Sequence, residues 1–272
     1  MTLSELFQIS VRDSGKEPAD ILIIIEKAFD ISKEQFWKQK NSDITNKKLL
    51  LKFNRYLKRL IKNEPVAYIL GNKEFYSEKF LVNKNVLIPR PETELLVEKV
   101  LETTSGSSRI LDIGAGSGVI SIMIAKKTHA EIVATELDKN AIKVLKKNIQ
   151  KHNVKSIITP LRKNLFPEKR DKFDIIVSNP PYLSVEEYDQ LPDSIKKYEP
   201  EAALIGGEKG DEIIRRIISG ALNYLKPGGF LFLEIGFDQK NRIRKHLSEY
   251  GFSDIEFFKD YQGISRIVKA KL

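Results

Sequence analysis

From residue 92 onward, short apolar runs alternate with longer amphipathic ones, and this alternation limits the possible folds more than any other feature. Arg109 to Ile113, Glu131 to Thr135, Phe173 to Val177 and Phe230 to Ile235 read as strands, with a further short one near Ile157. Helical periodicity fills Glu92 to Thr103, the stretch up to Lys127, Lys139 to His152, Asp211 to Leu225 and Gln239 to Tyr250. Strands separated in this way by helices belong in a parallel sheet covered on both faces. The predicted fold class is therefore α/β, a doubly wound Rossmann-like sheet. Asp254 to Phe258 and Ser265 to Lys269 have no helix between them, so the last strand is expected to be antiparallel. Lys226-Pro227-Gly228-Gly229 reads as a turn, and residues 179 to 210 as a long loop.

The first part of the chain has a different character. Thr2 with Glu5 and Ser32 with Gln35 have capping-box spacing, and Pro18 suits the first turn of a helix running to Phe29. A long amphipathic helix spans Asn46 to Lys62, and Asn63-Glu64-Pro65 stops it. Lys73 to Ile88 reads as a β-hairpin ending in the stiff hinge Pro89-Arg90-Pro91. Three parts follow: a helical bundle over 1–70, a hairpin linker over 71–90 and a catalytic domain over 91–272. In the long helix Lys48, Lys52, Arg55, Arg59 and Lys62 recur along one side. That stripe is readable both as a solvated face and as a surface that docks a partner.

Composition excludes several classes. The 272-residue chain contains no cysteine, so disulfides, thiolate metal sites and cysteine nucleophiles are ruled out. Three scattered histidines, His129, His152 and His246, argue against a metal centre. No apolar run approaches the ~20 residues needed to span a membrane. The N-terminus lacks the basic-then-apolar pattern of a secretion signal. A cytoplasmic, metal-free and monomeric enzyme is the expectation. The formal charge of +9 leaves an acidic partner open.

Asp112-Ile113-Gly114-Ala115-Gly116-Ser117-Gly118 lies where the first strand of the sheet meets a helix. Glycines let such a loop turn tightly and approach a ligand. A dinucleotide fingerprint needs a sixth-position glycine, but Val119 stands there. The G-x-G-x-G spacing is closer to that of enzymes that bind S-adenosylmethionine. Glu136 closes the second strand, ~20 residues beyond the loop, where an acid can accept from both ribose hydroxyls. Asp138 reads as the cap of the following helix. Asn164 and Leu165, ahead of the fourth strand, are candidates to flank adenine, and a plain loop is the competing reading.

Asn179-Pro180-Pro181-Tyr182 follows the fourth strand. An asparagine oxygen and the Pro180 carbonyl can accept both hydrogens of one planar NH₂ group. Drawn out of conjugation, its nitrogen lone pair can attack an electrophilic methyl group, and Tyr182 would stack on the substrate. Orientation and electrostatics then carry the catalysis, without a metal or a covalent nucleophile.

NEPVAYILGNKEF, VLIPRPETELLVE, ILDIGAGSG, IVSNPPYL and EPEAALIGGEKG occur in the order seen in the HemK/PrmC family, the glutamine N5-methyltransferases of peptide chain release factors, and the chain resembles that family over nearly its whole length. The resemblance implies S-adenosylmethionine as cofactor, S-adenosylhomocysteine as product and a Gly-Gly-Gln loop as substrate. It also implies that Gly114, Ala115, Gly116, Ser117, Gly118, Asp112, Glu136, Asn164 and Leu165 hold the cofactor. Asn179, Pro180, Pro181 and Tyr182 would hold the glutamine, with Asn179 also touching the cofactor. Many members carry aspartate in place of Glu136. NPPY is shared with DNA and RNA adenine N6-methyltransferases, the alternative reading, which would want a nucleic-acid recognition domain or a broad basic cleft. A nicotinamide oxidoreductase and a non-catalytic binding module fit the motifs less well.

Overall fold

The capping signals open the first helices where the sequence puts them. In the computed structural model, which describes residues 1–272, Thr2 and Glu5 form a reciprocal capping box on α1 (Leu3–Ser14). Pro18 starts α2 (Pro18–Phe29), and Ser32 with Gln35 caps α3 (Lys33–Gln39). The Asn46 side chain accepts from Lys48 and Leu49 amides at the head of α4 (Lys47–Ile61). A short α5 (Val66–Leu70), absent from the sequence reading, follows Pro65. Chain contacts divide the protein into two compact units, Met1–Asn72 and Lys73–Leu272.

The first unit is a helical bundle around Ile21, Ile24, Ile25, Phe36 and Phe53, all fully or almost fully buried. Two cations of the α4 stripe have structural partners. Arg59 makes a bidentate pair with Glu64 (2.7 and 2.6 Å) and donates to the carbonyls of Tyr68 and Ile69, closing the turn into α5. Lys52 donates to the carbonyl of Lys27 at the end of α2.

The hairpin is shorter than the sequence suggests. β1 (Asn72–Phe75) and β2 (Glu78–Leu81) are joined by Tyr76 and Ser77, both left-handed (φ 53° and 59°), as a two-residue hairpin turn requires. Pairing stops at Leu81 because Asn83 begins a turn closed by the Val86 amide. Val82, Val86 and Ile88 are nevertheless buried in this irregular segment.

The second unit continues with α6 (Glu92–Thr103), β3 (Arg109–Ile113), α7 (Val119–Thr128), β4 (Glu131–Glu136), α8 (Ala141–Lys151), β5 (Ile158–Arg162) and β6 (Phe173–Ser178). Where a plain loop was expected stand β7 (Leu183–Ser184), α9 (Val185–Asp189), α10 (Asp193–Tyr198), a 3₁₀ turn at Glu201–Ala203 and β8 (Ile205–Gly207). These elements are too short to show a periodicity. α11 (Glu212–Ala221), β9 (Leu225–Glu234), α12 (Lys240–Glu249), β10 (Ser253–Lys259) and β11 (Ser265–Lys271) complete it. Lys226 to Gly229 does not turn the chain. It lies inside β9, whose register against β6 shifts between Phe173 and Ile175, with Gly228 left-handed (φ 78°) as bulges favour.

Seven strands form one sheet in the order β10-β11-β9-β6-β3-β4-β5. β11 runs antiparallel to both neighbours, while β9, β6, β3, β4 and β5 are mutually parallel. Residues alternate between two buried layers. Ile110, Ile132, Ile175 and Phe232 face α6, α7 and α8, whereas Leu111, Val133, Ile176 and Leu231 face α11 and α12. α7 is buried on every side from Val119 to Ala125, a run that is apolar except for Ser121. No helix is long and apolar enough to cross a membrane.

Strand order reverses between β3 and β6, where open α/β sheets hold ligands beyond their carboxyl ends. Register brings those ends level: Ile113 pairs with both Thr135 and Ser178, and Ser178 pairs with Leu233. Glu234 and Glu136 end β9 and β4, and Asn179 and Gly114 directly follow β6 and β3.

Candidate active site

A cavity of about 690 Å³ opens at that reversal, within the usual size range of ligand sites. Its wall includes Gly114, Ala115, Gly116, Ser117, Glu136, Asn164, Leu165, Asn179 and Pro181. Distant motifs are thus brought together. The hinge adds Pro89 and Arg90, the first turn of α6 adds Thr93, and the segment after α10 adds Pro200, Ala202 and Ala203.

The glycine loop is left-handed at Gly114 and Gly116 (φ 71° and 55°), and no atom lies within 4 Å of where a Gly114 Cβ would stand. Glycine is required there by backbone conformation, not by crowding. Amides of Gly114 and Ala115 both donate to the Thr135 carbonyl (2.9 Å each), folding the loop over the end of β4. Gly116 N–H donates to Glu136 Oε2 (2.9 Å), and Asp138 N–H to Glu136 Oε1 (2.9 Å). The carboxylate is therefore fixed on the cavity wall with lone pairs remaining. Asn148 of α8, fully buried, secures the other side: its NH₂ donates to the Ser117 carbonyl (2.7 Å) and its oxygen accepts from Leu81 N–H (2.8 Å).

Asp138 does take up the free amides at the start of α8, accepting from Asn140 and Ala141 (2.7 and 2.8 Å). The residue at the helix boundary is Asn140, two positions later than expected, and its side chain makes no cap. Leu165 is left-handed (φ 63°), uncommon for a residue with a bulky side chain. The buried Thr135 hydroxyl holds it by donating to its carbonyl (2.6 Å).

At the end of β6 the Ser178 hydroxyl donates to the Ile113 carbonyl (2.7 Å), pinning NPPY beside the glycine loop. Gln239, 1% exposed, then clamps the NPPY backbone. Its NH₂ donates to the carbonyls of Tyr182 (2.8 Å) and Gly210 (3.1 Å), and its oxygen accepts from Gly236 N–H (2.9 Å). Gly206 lies so close to the Pro181 carbonyl that any side chain would collide with it.

Four of the expected site residues are not on the cavity wall: Asp112, Gly118, Pro180 and Tyr182. Tyr182 packs against the layer between the sheet and α11 and α12. Burial first, and then the nearby Glu234 carboxylate, push its phenol pKa up. Asp112 lies beneath the loop, wholly buried, where its Oδ2 accepts from the Ser121 backbone amide (3.2 Å) and hydroxyl.

Residues 91–193 match the model of the Methyltransferase small domain, and residues 8–71 that of the PrmC N-terminal domain. A release factor glutamine methyltransferase of Clostridium botulinum is 41% identical, covering 76% of this chain and 75% of that protein. One from Buchnera aphidicola is 40% identical over 91% of this chain and 85% of its own length. The chain belongs to the release factor glutamine methyltransferase family. The crystal structure of a methyltransferase from Pyrococcus furiosus shares the fold, with a TM-score of 0.56 at 21% identity over 80% of this chain and 98% of that one.

In this family member, sequence reasoning missed Thr93, Asn148, Glu234 and Gln239. Thr93 lies inside the VLIPRPETELLVE stretch, where nothing marks its hydroxyl, and Asn148, Glu234 and Gln239 belong to no motif, because each acts on another protein group from a separate element. Only Glu234 leaves a trace, an acid at the end of the apolar run Phe230 to Ile235.

Asp112 gives the first prediction. Burial raises its pKa to about 6, against a weaker opposing effect of the Ser121 bonds, and its Oδ1 has no partner. A folded-state pKa above the unfolded one means stability is fully present below about pH 4 and declines as pH rises through 6. Asp112→Asn keeps the shape and the Ser121 contacts but not the charge. The ligand-free variant should be roughly 1–3 kcal/mol more stable than the parent at pH 8 and not at pH 4. Urea denaturation at both values measures this, and a variant weakened equally at both would refute the buried-charge argument.

Proposed function

We propose that this chain transfers the methyl group of S-adenosylmethionine to the side-chain amide nitrogen of the glutamine in the Gly-Gly-Gln loop of a peptide chain release factor. The observation that carries the reading is the placing of Asn179 on the same cavity wall as the left-handed glycine loop and Glu136. Relatives matching 76% and 91% of the chain are named release factor glutamine methyltransferases.

The residues fit the cofactor. Gly114 leaves open space where a side chain would intrude, and the loop runs into the amino end of α7. Glu136 faces the cavity already anchored by two amides, so it can accept from ribose hydroxyls without reorganising. Leu165 offers an apolar surface for adenine, with Asn164 at its edge. Bound there, S-adenosylmethionine supplies an electrophilic methyl group and leaves as S-adenosylhomocysteine.

Asn179 Oδ1 and the Pro180 carbonyl accept the two hydrogens of the glutamine NH₂. Held that way, the nitrogen lone pair points at the methyl carbon, and an amide hydrogen leaves as a proton to water once the N–C bond has formed. Pro180 and Pro181 stiffen the backbone that presents these acceptors. Asp112 ties β3 to α7 through Ser121, and Tyr182 packs into the apolar layer behind the site.

Incubating the enzyme with methyl-labelled S-adenosylmethionine and a release factor should label the protein at the Gly-Gly-Gln glutamine. Label on DNA or RNA adenine with none on the protein would overturn the reading. Glu136→Ala should weaken cofactor binding by about 1–3 kcal/mol, as expected for loss of a charged acceptor. Calorimetry showing unchanged affinity would remove Glu136 from the site.

A further inference from the structure

The geometry points to a buried relay, Glu234 to Thr93 to Asn179, that fixes which way the Asn179 amide faces and so keeps its oxygen toward the substrate. The inference rests on the reading that Asn179 accepts from the glutamine amide. Glu234, 1% exposed, ends β9, and Thr93, 2% exposed, stands in the first turn of α6 just after the hinge. The Thr93 hydroxyl lies 2.8 Å from Glu234 Oε2 and 3.1 Å from Asn179 Nδ2.

Proton counting sets the direction. In its ionised form the Glu234 carboxylate can only accept, so the single Thr93 hydroxyl hydrogen then points to it. The Thr93 oxygen can then only accept, and the side-chain group of Asn179 that can donate to it is the NH₂. Its oxygen is left for the other side, where the cavity lies. The two faces of a carboxamide are nearly equal in size, so nothing steric would stop Asn179 from turning over. A turned amide would present donors to the substrate's own donors and lose the contact that aims the lone pair. Burying a carboxylate is costly, and the Glu234 pKa is raised to about 7 chiefly by burial. Hydrogen bonds from Thr93 and Asn179 and the charge of Arg266 on β11 act the other way, favouring the ionised form the relay needs, while Glu92 of α6 opposes it.

Thr93 is thus a positioning residue, and its test separates orientation from packing. Thr93→Val keeps the shape without the hydroxyl, Thr93→Ala removes both, and Thr93→Ser keeps only the hydroxyl. Single-turnover transfer from labelled cofactor to a release factor should fall roughly 10–100-fold in the valine and alanine variants. Serine should recover most of that loss, and cofactor affinity should stay within about twofold in all three. The smaller alanine variant carries the same prediction should the valine variant fail to fold. Equal losses in the serine and valine variants, or parental transfer in a folded valine or alanine variant, would overturn the relay alone. A parental enzyme that leaves the release factor unlabelled would overturn both the relay and the proposed substrate.

Discussion

Replacing Asn179 by alanine should lower methyl transfer about 10²–10³-fold while changing cofactor affinity less than Glu136→Ala does. Asn179 lies at the carboxyl end of β6, next to Ser178, whose hydroxyl is bonded to the carbonyl of Ile113. Its position is therefore fixed by the sheet, and alanine there removes an acceptor without moving the backbone. The loss should appear in the single-turnover rate and not in cofactor binding, because the acceptor acts on the amide being methylated. Asn179→Asp keeps an acceptor oxygen and should restore part of the rate. The aspartate cannot donate to Thr93, so restoration should be incomplete. Measuring transfer and calorimetric cofactor binding on the same preparations decides the matter. An alanine variant at near-parental rate would return NPPY to the role of a structural turn.

The second large effect concerns the helical unit. Its core draws only on residues from Leu3 to Ile69, and the two layers around the sheet draw only on residues from Phe75 onward. A protein beginning at Lys73 should fold and bind cofactor near the parental affinity. Toward an intact release factor its kcat/KM should fall by roughly 10²-fold or more, the scale of losing one of two linked binding contacts. The proposal behind this expectation is that the helical unit docks the substrate protein. A short Gly-Gly-Gln peptide, which lacks the rest of the release factor, should be methylated at similar rates by both forms. An equal drop on the peptide and on the whole protein would remove the docking role.

Much of this architecture is legible in the residues, and the reasons differ from place to place. Capping boxes and Pro18 act within a few neighbouring residues, so α1, α2 and α3 start where local chemistry puts them. The parallel core strands are apolar on both faces and announce themselves. Lys226-Pro227-Gly228-Gly229 misleads because a left-handed glycine serves a bulge as readily as a turn, and only the neighbouring strand decides which. The hairpin overruns in sequence since Val82, Val86 and Ile88 are buried without being paired. In the site, ligand-facing residues sit in motifs, whereas the groups that hold them are scattered. Glu234 is distant from Thr93 and Asn179 in sequence, and the relay exists only once β9, β6 and α6 are assembled.

The level ends of β9, β6, β3 and β4, at which Glu234, Asn179, Gly114 and Glu136 stand, make the sheet a ruler. Adjacent strands lie about 4.8 Å apart, so the acceptor that would grip the substrate and the acid that would grip the ribose are set about 10 Å apart by strand spacing. Side-chain rotamers can trim that interval but not remake it. Selection for molecular length is then written into backbone pairing. A ligand too short to reach from one mark to the other must give up one end, however well it fits at the remaining one.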